Sequence, residues 1–235
     1  MANINTLQPD NCAFAFIDHQ PYVAFPVQSI APSELLNNVT ALAEVARAQD
    51  IPTILTTIGA RGGPLADPLF QQLQAAFPDV APIDRTSTNA WADTRFVHAI
   101  EATGRRKLVL CGLWTEVCLA QTVVSALKDG YEVFFVADCS GGLSPEAHEE
   151  AKRRMTQAGA VPMTWFAVVA ELYPEFTAPE YQRLYPIVSA HGMGVAFNVQ
   201  YLTAQFTAGT LAPAAVTAPA PALPAPRDGR APTTA

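Results

Sequence analysis

The chain has 235 residues, half of them hydrophobic, and 21 acidic against 14 basic side chains leave a net charge of −7. That is enough apolar material for one sizeable α/β core with a tail, and the charge balance argues against nucleic acid as a primary partner. No run approaches the roughly 20 apolar residues that cross a bilayer, and the opening MANINTLQPDN lacks the basic start and apolar block of a secretory signal. A cytoplasmic protein without a membrane partner is expected.

In chain order, Cys12–Ile17 is an apolar run of strand length ending at Asp18. Pro32 and Ser33 open a helix with Leu35, Val39, Leu42 and Ala46 at helical spacing. Pro52–Ile58 is short and β-branched and reads as a second strand; Ala66–Ala76 reads as a short helix stopped before Pro78, and Val80–Ile83 as a brief third strand. Asp93 is placed to cap a helix carrying Phe96, Val97 and Ile100 and ended by Gly104. Strand four is Lys107–Cys111, and Glu116–Lys128 is a helix with Val117, Ala120, Val124 and Leu127 on one stripe and Gly130 at its end. Tyr131–Ala137, Ser144–Ala158 and Val161–Thr164 continue as strand, helix and strand.

This β-α-β-α rhythm, with strands apolar on both faces, predicts a doubly wound, mainly parallel sheet of about six strands. Residues 1–176 are expected to form this domain. Residues 177–206 carry further apolar side chains and read as an extension packing on the domain or on a neighbouring subunit. Residues 207–235 are Ala/Pro-rich, with little to offset their ordering entropy, and read as a disordered tail.

In open α/β sheets ligands bind at the carboxyl ends of the strands. That rule brings Asp18-His19-Gln20, Asp84-Arg85, Gly112 to Cys118 and Asp138 to Gly142 to one edge. Cys118 falls in the first turn of a helix, where unpaired N–H groups and the dipole favour thiolate and bring its pKa below the usual value. It also lies off the predicted apolar stripe. Two readings stand on position alone: a packed core thiol, the commoner use of a free cysteine, or a displayed nucleophile. Cys12, Cys111 and Cys139 read as core residues and Gly141-Gly142 as a turn. Trp91 and Trp114 fall near the same edge as pocket walls or simple packing. No His/Cys/Asp/Glu spacing signals a metal.

Three segments, FIDHQ after strand one, RTSTNAW after strand three and CGLWTEVC entering the helix, resemble the isochorismatase-like cysteine hydrolases, nearest the YcaC-type branch. The likeness runs from about Asn11 to Phe166 and more weakly to Phe206. It implies a three-layer α/β/α sandwich with a Rossmann-like sheet and a triad of Cys118 as nucleophile, Asp18 as carboxylate and Arg85 where the family usually has Lys. Arg is permanently charged and orients Asp18 without shuttling a proton. The resemblance further implies a cis peptide at Leu113–Trp114, an oxyanion hole from the backbone N–H groups of Trp114 and Cys118, and a substrate pocket including Trp91, Trp114, Phe25 and Asn89. Metal-binding relatives use an Asp-x-His cluster after strand two; TTIGARGG has neither residue, so no metal and no cofactor are expected.

The implied function is a cysteine-dependent hydrolase cleaving a C–N (amide-type) bond of a small molecule through a thioester, in a homo-oligomer for which the octamer is the candidate state. Two alternatives are a non-catalytic binding or assembly protein on this fold, and an isochorismatase-type vinyl-ether hydrolase.

Overall fold

The structure is a computed structural model that describes residues 6–62, 67–175, 181 and 183–208. The predicted tail lies outside these residues, apart from its first two. Six strands form one parallel sheet: β1 Cys12–Ile17, β2 Thr53–Ile58, β3 Ile83–Arg85, β4 Lys107–Gly112, β5 Glu132–Val136 and β6 Val161–Met163. The helices are α1 Pro21–Ala24, α2 Pro32–Ala48, α3 Gln71–Ala76, α4 Thr94–Ala102, α5 Ala120–Lys128, α6 Pro145–Gln157, α7 Trp165–Leu172, α8 Tyr185–His191 and α9 Gly194–Thr207.

Strand order is β3-β2-β1-β4-β5-β6. The chain winds outward from β1 in one direction and then from β4 in the other, so a crevice opens between the carboxyl ends of β1 and β4. The period-2 alternation of β1 divides its side chains between two cores. Cys12, Phe14 and Phe16 pack with α2, α7 and α8; Ala13, Ala15 and Ile17 pack with α4, α5 and α6. That is the expected three-layer sandwich. Gly112 ends β4 because a Cβ there would stand 2.7 Å from Ile17 Cβ, inside contact distance.

Several boundaries move for identifiable reasons. β3 begins at Ile83, three residues later than Val80, because Pro82 has no N–H to donate to the ladder. α3 begins at Gln71 rather than Ala66; Ala66 lies outside the described residues, and Phe70 donates its N–H to the His19 carbonyl at 2.8 Å instead of joining a helix. Asp93 does cap α4, accepting from the Arg95 N–H at 2.9 Å. The predicted helix Glu116–Lys128 is two elements: a wide π-type turn at Thr115–Leu119, then α5.

Beyond β6, α7 is tied back to the sheet edge. The Trp165 N–H donates to Asp138 Oδ1 at 2.8 Å. Burial is the main cause that lifts the Asp138 carboxyl from its ordinary 3.8 to about 6. The folded chain therefore holds this proton more tightly than the unfolded one. The resulting stability is complete below about pH 4 and is lost as pH rises through about 6. Urea unfolding of wild type and Asp138→Asn across pH 4–7 should show the wild type losing on the order of 2–3 kcal/mol relative to the variant. Parallel pH profiles would exclude Asp138 as the source.

Candidate active site

Asp18 follows the last residue of β1 in a left-handed conformation, φ 58°, unusual for a residue with a Cβ. Its side chain is fully buried. Oδ2 is paired with Arg85 Nη2, and Oδ1 accepts the Thr56 hydroxyl at 2.8 Å. Arg85 ends β3, two strands away, with its side chain also sealed from solvent. Its Nη1 donates to the Ser87 carbonyl, so RTSTN curls back around its own guanidinium. The Cys118 thiol lies near enough to Asp18 and Arg85 for both to act on its proton. Acid, cation and sulfur, 18, 85 and 118 along the chain, thus meet at the switch-point crevice.

The electrostatics differ from expectation. Cys118 is only 4% exposed and packs among Leu119, Ala120 and Val123. Burial first, and the Asp18 charge second, push its thiol up to about 12, against a smaller opposing pull from Arg85. The lowering expected from a helix N-terminus does not prevail, because desolvation of a thiolate outweighs a partial dipole charge. Burial likewise raises Asp18, opposed by Arg85, Thr56 and Cys118. At neutral pH the sulfur holds its proton. The stripe argument fails too: Cys118, Leu119, Ala120, Thr122, Val123 and Ala126 are buried, while Val117, Val124 and Leu127 are half-buried. The wide turn shifts the helical phase, and the small residues Ala120 and Ala126 let the helix approach the sheet.

The start of this turn is bolted to the loop after β5. Thr115 donates its N–H to the Gly141 carbonyl at 3.0 Å, and its hydroxyl lies 2.8 Å from His148 Nδ1. Glu116 Oε1 accepts the Leu143 N–H at 3.0 Å. Gly142 is required by crowding: a Cβ would sit 2.7 Å from Glu116 Oε2 and 3.0 Å from His148 Cβ. The Gly pair is thus a close-packed turn. Thr56 and His148 support the cluster without a local sequence signal marking them, whereas Gln20 and Thr115 lie within the FIDHQ and CGLWTEVC segments. Gln20 accepts the Ile58 N–H at 2.7 Å and donates to the Asp67 carbonyl at 2.8 Å, tying β1 to β2.

The remaining candidates separate. Leu113–Trp114 is cis. The Trp114 indole is half-buried and donates to the Val23 carbonyl at 2.7 Å, beside α1. Phe25, at the end of α1, is 90% exposed and lines no enclosed wall within the protomer. Asn89 caps a 3-10 turn, accepting from the Trp91 N–H at 3.1 Å and donating to Ser125 Oγ at 3.0 Å, so its amide is spent on the cap and on α5. Trp91 is not at the expected sheet edge. Its indole donates to Asp129 at 2.6 Å and packs on Tyr131, before the amino end of β5 and away from Cys118. His19 lies on the opposite face of the sheet from Cys118, between Phe16 and Phe70, with Nε2 2.9 Å from the Cys139 carbonyl; burial lowers it to about 4. Cys12, Cys111 and Cys139 are buried, as expected of core residues. Among the described residues no cluster of three or more His, Cys, Asp or Glu is suited to a metal ion, and no helix is long and apolar enough to cross a membrane.

A six-stranded, doubly wound parallel sheet flanked by helices is the fold of an isochorismatase-like hydrolase. The isochorismatase domain matches residues 12–166, and the chain belongs to this family. It is 40% identical over 171 residues to the probable hydrolase YcaC of Escherichia coli (strain K12), covering 72% of this chain and 81% of that protein. YcaC from Pseudomonas aeruginosa, solved with hexane-2,5-diol and covalent acrylamide, superposes with a TM-score of 0.82 at 36% identity, over 86% of this chain and all of that one. The E. coli YcaC structure, described as an octameric hydrolase of unknown specificity, gives 0.81 at 35% identity, over 88% and 99% of the two chains. The chain is a YcaC-like hydrolase.

Removing Arg85 would leave a buried, unpaired carboxylate. Arg85→Met should cost about 3–5 kcal/mol at pH 7. The deficit should narrow as pH falls and Asp18 takes up a proton. Urea titrations at pH 7 and pH 5 check this; an equal deficit at both would mean the ion pair is not its origin.

Proposed function

We propose that this protein is a cysteine-dependent hydrolase that cleaves a C–N (amide-type) bond of a small molecule through a thioester. The observation supporting this reading is that the Cys118 thiol shares one buried crevice with the Asp18 carboxylate, which is paired with Arg85, and that both groups act on its proton. A thiol that burial pushes up to about 12 needs a base at hand, and a neighbouring carboxylate supplies one.

Asp18 takes the thiol proton as Cys118 sulfur adds to the carbonyl carbon. The oxyanion accepts hydrogen bonds from the Trp114 and Cys118 backbone N–H groups. Asp18 returns the proton to the leaving amine as the C–N bond breaks, giving the thioester. It then takes a proton from water as the water adds, and passes it back to sulfur as the acid departs. Arg85 has no proton to offer in this range; its part is to hold Asp18 and balance its charge. The covalent acrylamide of the Pseudomonas relative, a small electrophilic primary amide, supports a nucleophile in this fold. Vinyl-ether hydrolysis would leave the Asp18–Cys118 contact unused. Cys118→Ala should reduce turnover of small primary amides and ureides by at least 10³-fold and abolish alkylation at residue 118. Unchanged turnover would refute the role of the thiol.

The same reading includes assembly. We take residues 1–176 as the hydrolase domain of a cytoplasmic homo-oligomer and 177–206 as an extension that meets the domain or a neighbour. Exposed Phe25, Met193, Phe197 and Tyr201 support a covered surface, and the octameric E. coli relative supports eight copies. Light scattering after size exclusion should give about eight times 25.1 kDa; a monomer at working concentration would overturn the assembly.

A further inference from the structure

Thr56, inside β2, grips Asp18 twice. Its carbonyl accepts the Asp18 N–H at 3.1 Å, and its hydroxyl donates to Asp18 Oδ1 at 2.8 Å. Both residues are fully buried. The neighbouring Thr57 turns its hydroxyl to a different carboxylate, Asp84 Oδ1, at 2.9 Å. Adjacent strand residues face opposite sides of a sheet, so only Thr56 serves the crevice. The sheet register sets this up: Ile17 stands opposite Thr56, which leaves Asp18 one step beyond the ladder and over the threonine.

A left-handed aspartate persists only where its surroundings over-determine it. Here the backbone is held through its N–H, one carboxylate oxygen by Thr56 and the other by Arg85. Arg85 alone would hold a single oxygen and leave the carboxylate free to swing about that contact. We infer that Thr56 is a positioning residue: its carbonyl and hydroxyl together lock Asp18 so that the carboxylate meets the Cys118 thiol. This rests on the reading of Asp18 as the base for Cys118.

Among the described residues, the charged and titratable groups acting on Asp18 are Arg85 from β3, which pairs with it, and Cys118 from the turn after β4. The Thr56 hydroxyl, like Arg85, favours the ionised carboxylate against burial. Without it the base form survives only to a higher pH. The test is the rate of Cys118 alkylation by iodoacetamide in the full chain between pH 4 and 9, read by mass spectrometry of the Cys118 peptide. Asp18→Asn marks the part of the profile that depends on the carboxylate. Thr56→Val should move that limb up by about one pH unit, and Thr56→Ser should return it to the wild-type position, which a purely structural role would not require. If Thr56→Val does not fold, Thr56→Ala carries the same expectation. A limb in the same place in wild type and Thr56→Val or Thr56→Ala overturns the inference alone. A wild-type profile with no limb sensitive to Asp18→Asn overturns the parent reading, and this inference with it.

Discussion

The arrangement at the crevice depends on one buried ion pair, Asp18 with Arg85. Neither charge would be tolerated alone at zero side-chain exposure, since the desolvation of an isolated ion exceeds anything local packing returns. Pairing makes the burial possible, and hydrogen bonds from Thr56 to one partner and to Ser87 from the other add to it, while Arg85 Nε is buried without a hydrogen-bond partner among the described residues. The guanidinium opposes the upward pull of burial on the Asp18 carboxyl, and the carboxylate is available to a third group. That group is the Cys118 thiol. Its proton is held tightly because the thiol is buried beside the pair.

The signature around Cys118 is mechanical as much as chemical. Thr115 and Glu116 are taken up by the loop after β5, through Gly141, Leu143 and His148. These anchors hold the wide turn open, and the turn sets the sulfur toward Asp18. Close approach of β4 to β1 at Gly112, and of the loop to the turn at Gly142, removes the slack that a Cβ at either place would create. A sulfur carried on an uninterrupted α-helix would sit at a different angle about the helix axis.

The comparisons place the chain in a family with related architecture and sequence over most of its length. Arg85 is the point at which the chain departs from the lysine usual in the resemblance. The departure is compatible with a carboxylate that does the proton transfer while the cation only orients it. His19, one residue beyond Asp18, shows how narrowly placement decides: it faces the other core, neutral and bound to a carbonyl.

Much of this was legible in the amino-acid order. Strand runs, proline and glycine punctuation and the Asp93 cap depend on local sterics and hydrogen bonding, so they survive without knowledge of the fold, and the alternation of elements was enough to imply the sheet. The three motif residues were legible through resemblance. Other features depended on contacts between remote segments. Trp91 found Asp129 and Tyr131 rather than the crevice, Asn89 spent its amide on the Trp91 N–H and the Ser125 hydroxyl, and Thr56 acquired meaning only when β2 lay beside β1. Local order determined which residues could build strands, helices and a reactive edge. Only tertiary packing decided how much water the edge retains, and burial, a property of the whole fold, put the proton on sulfur.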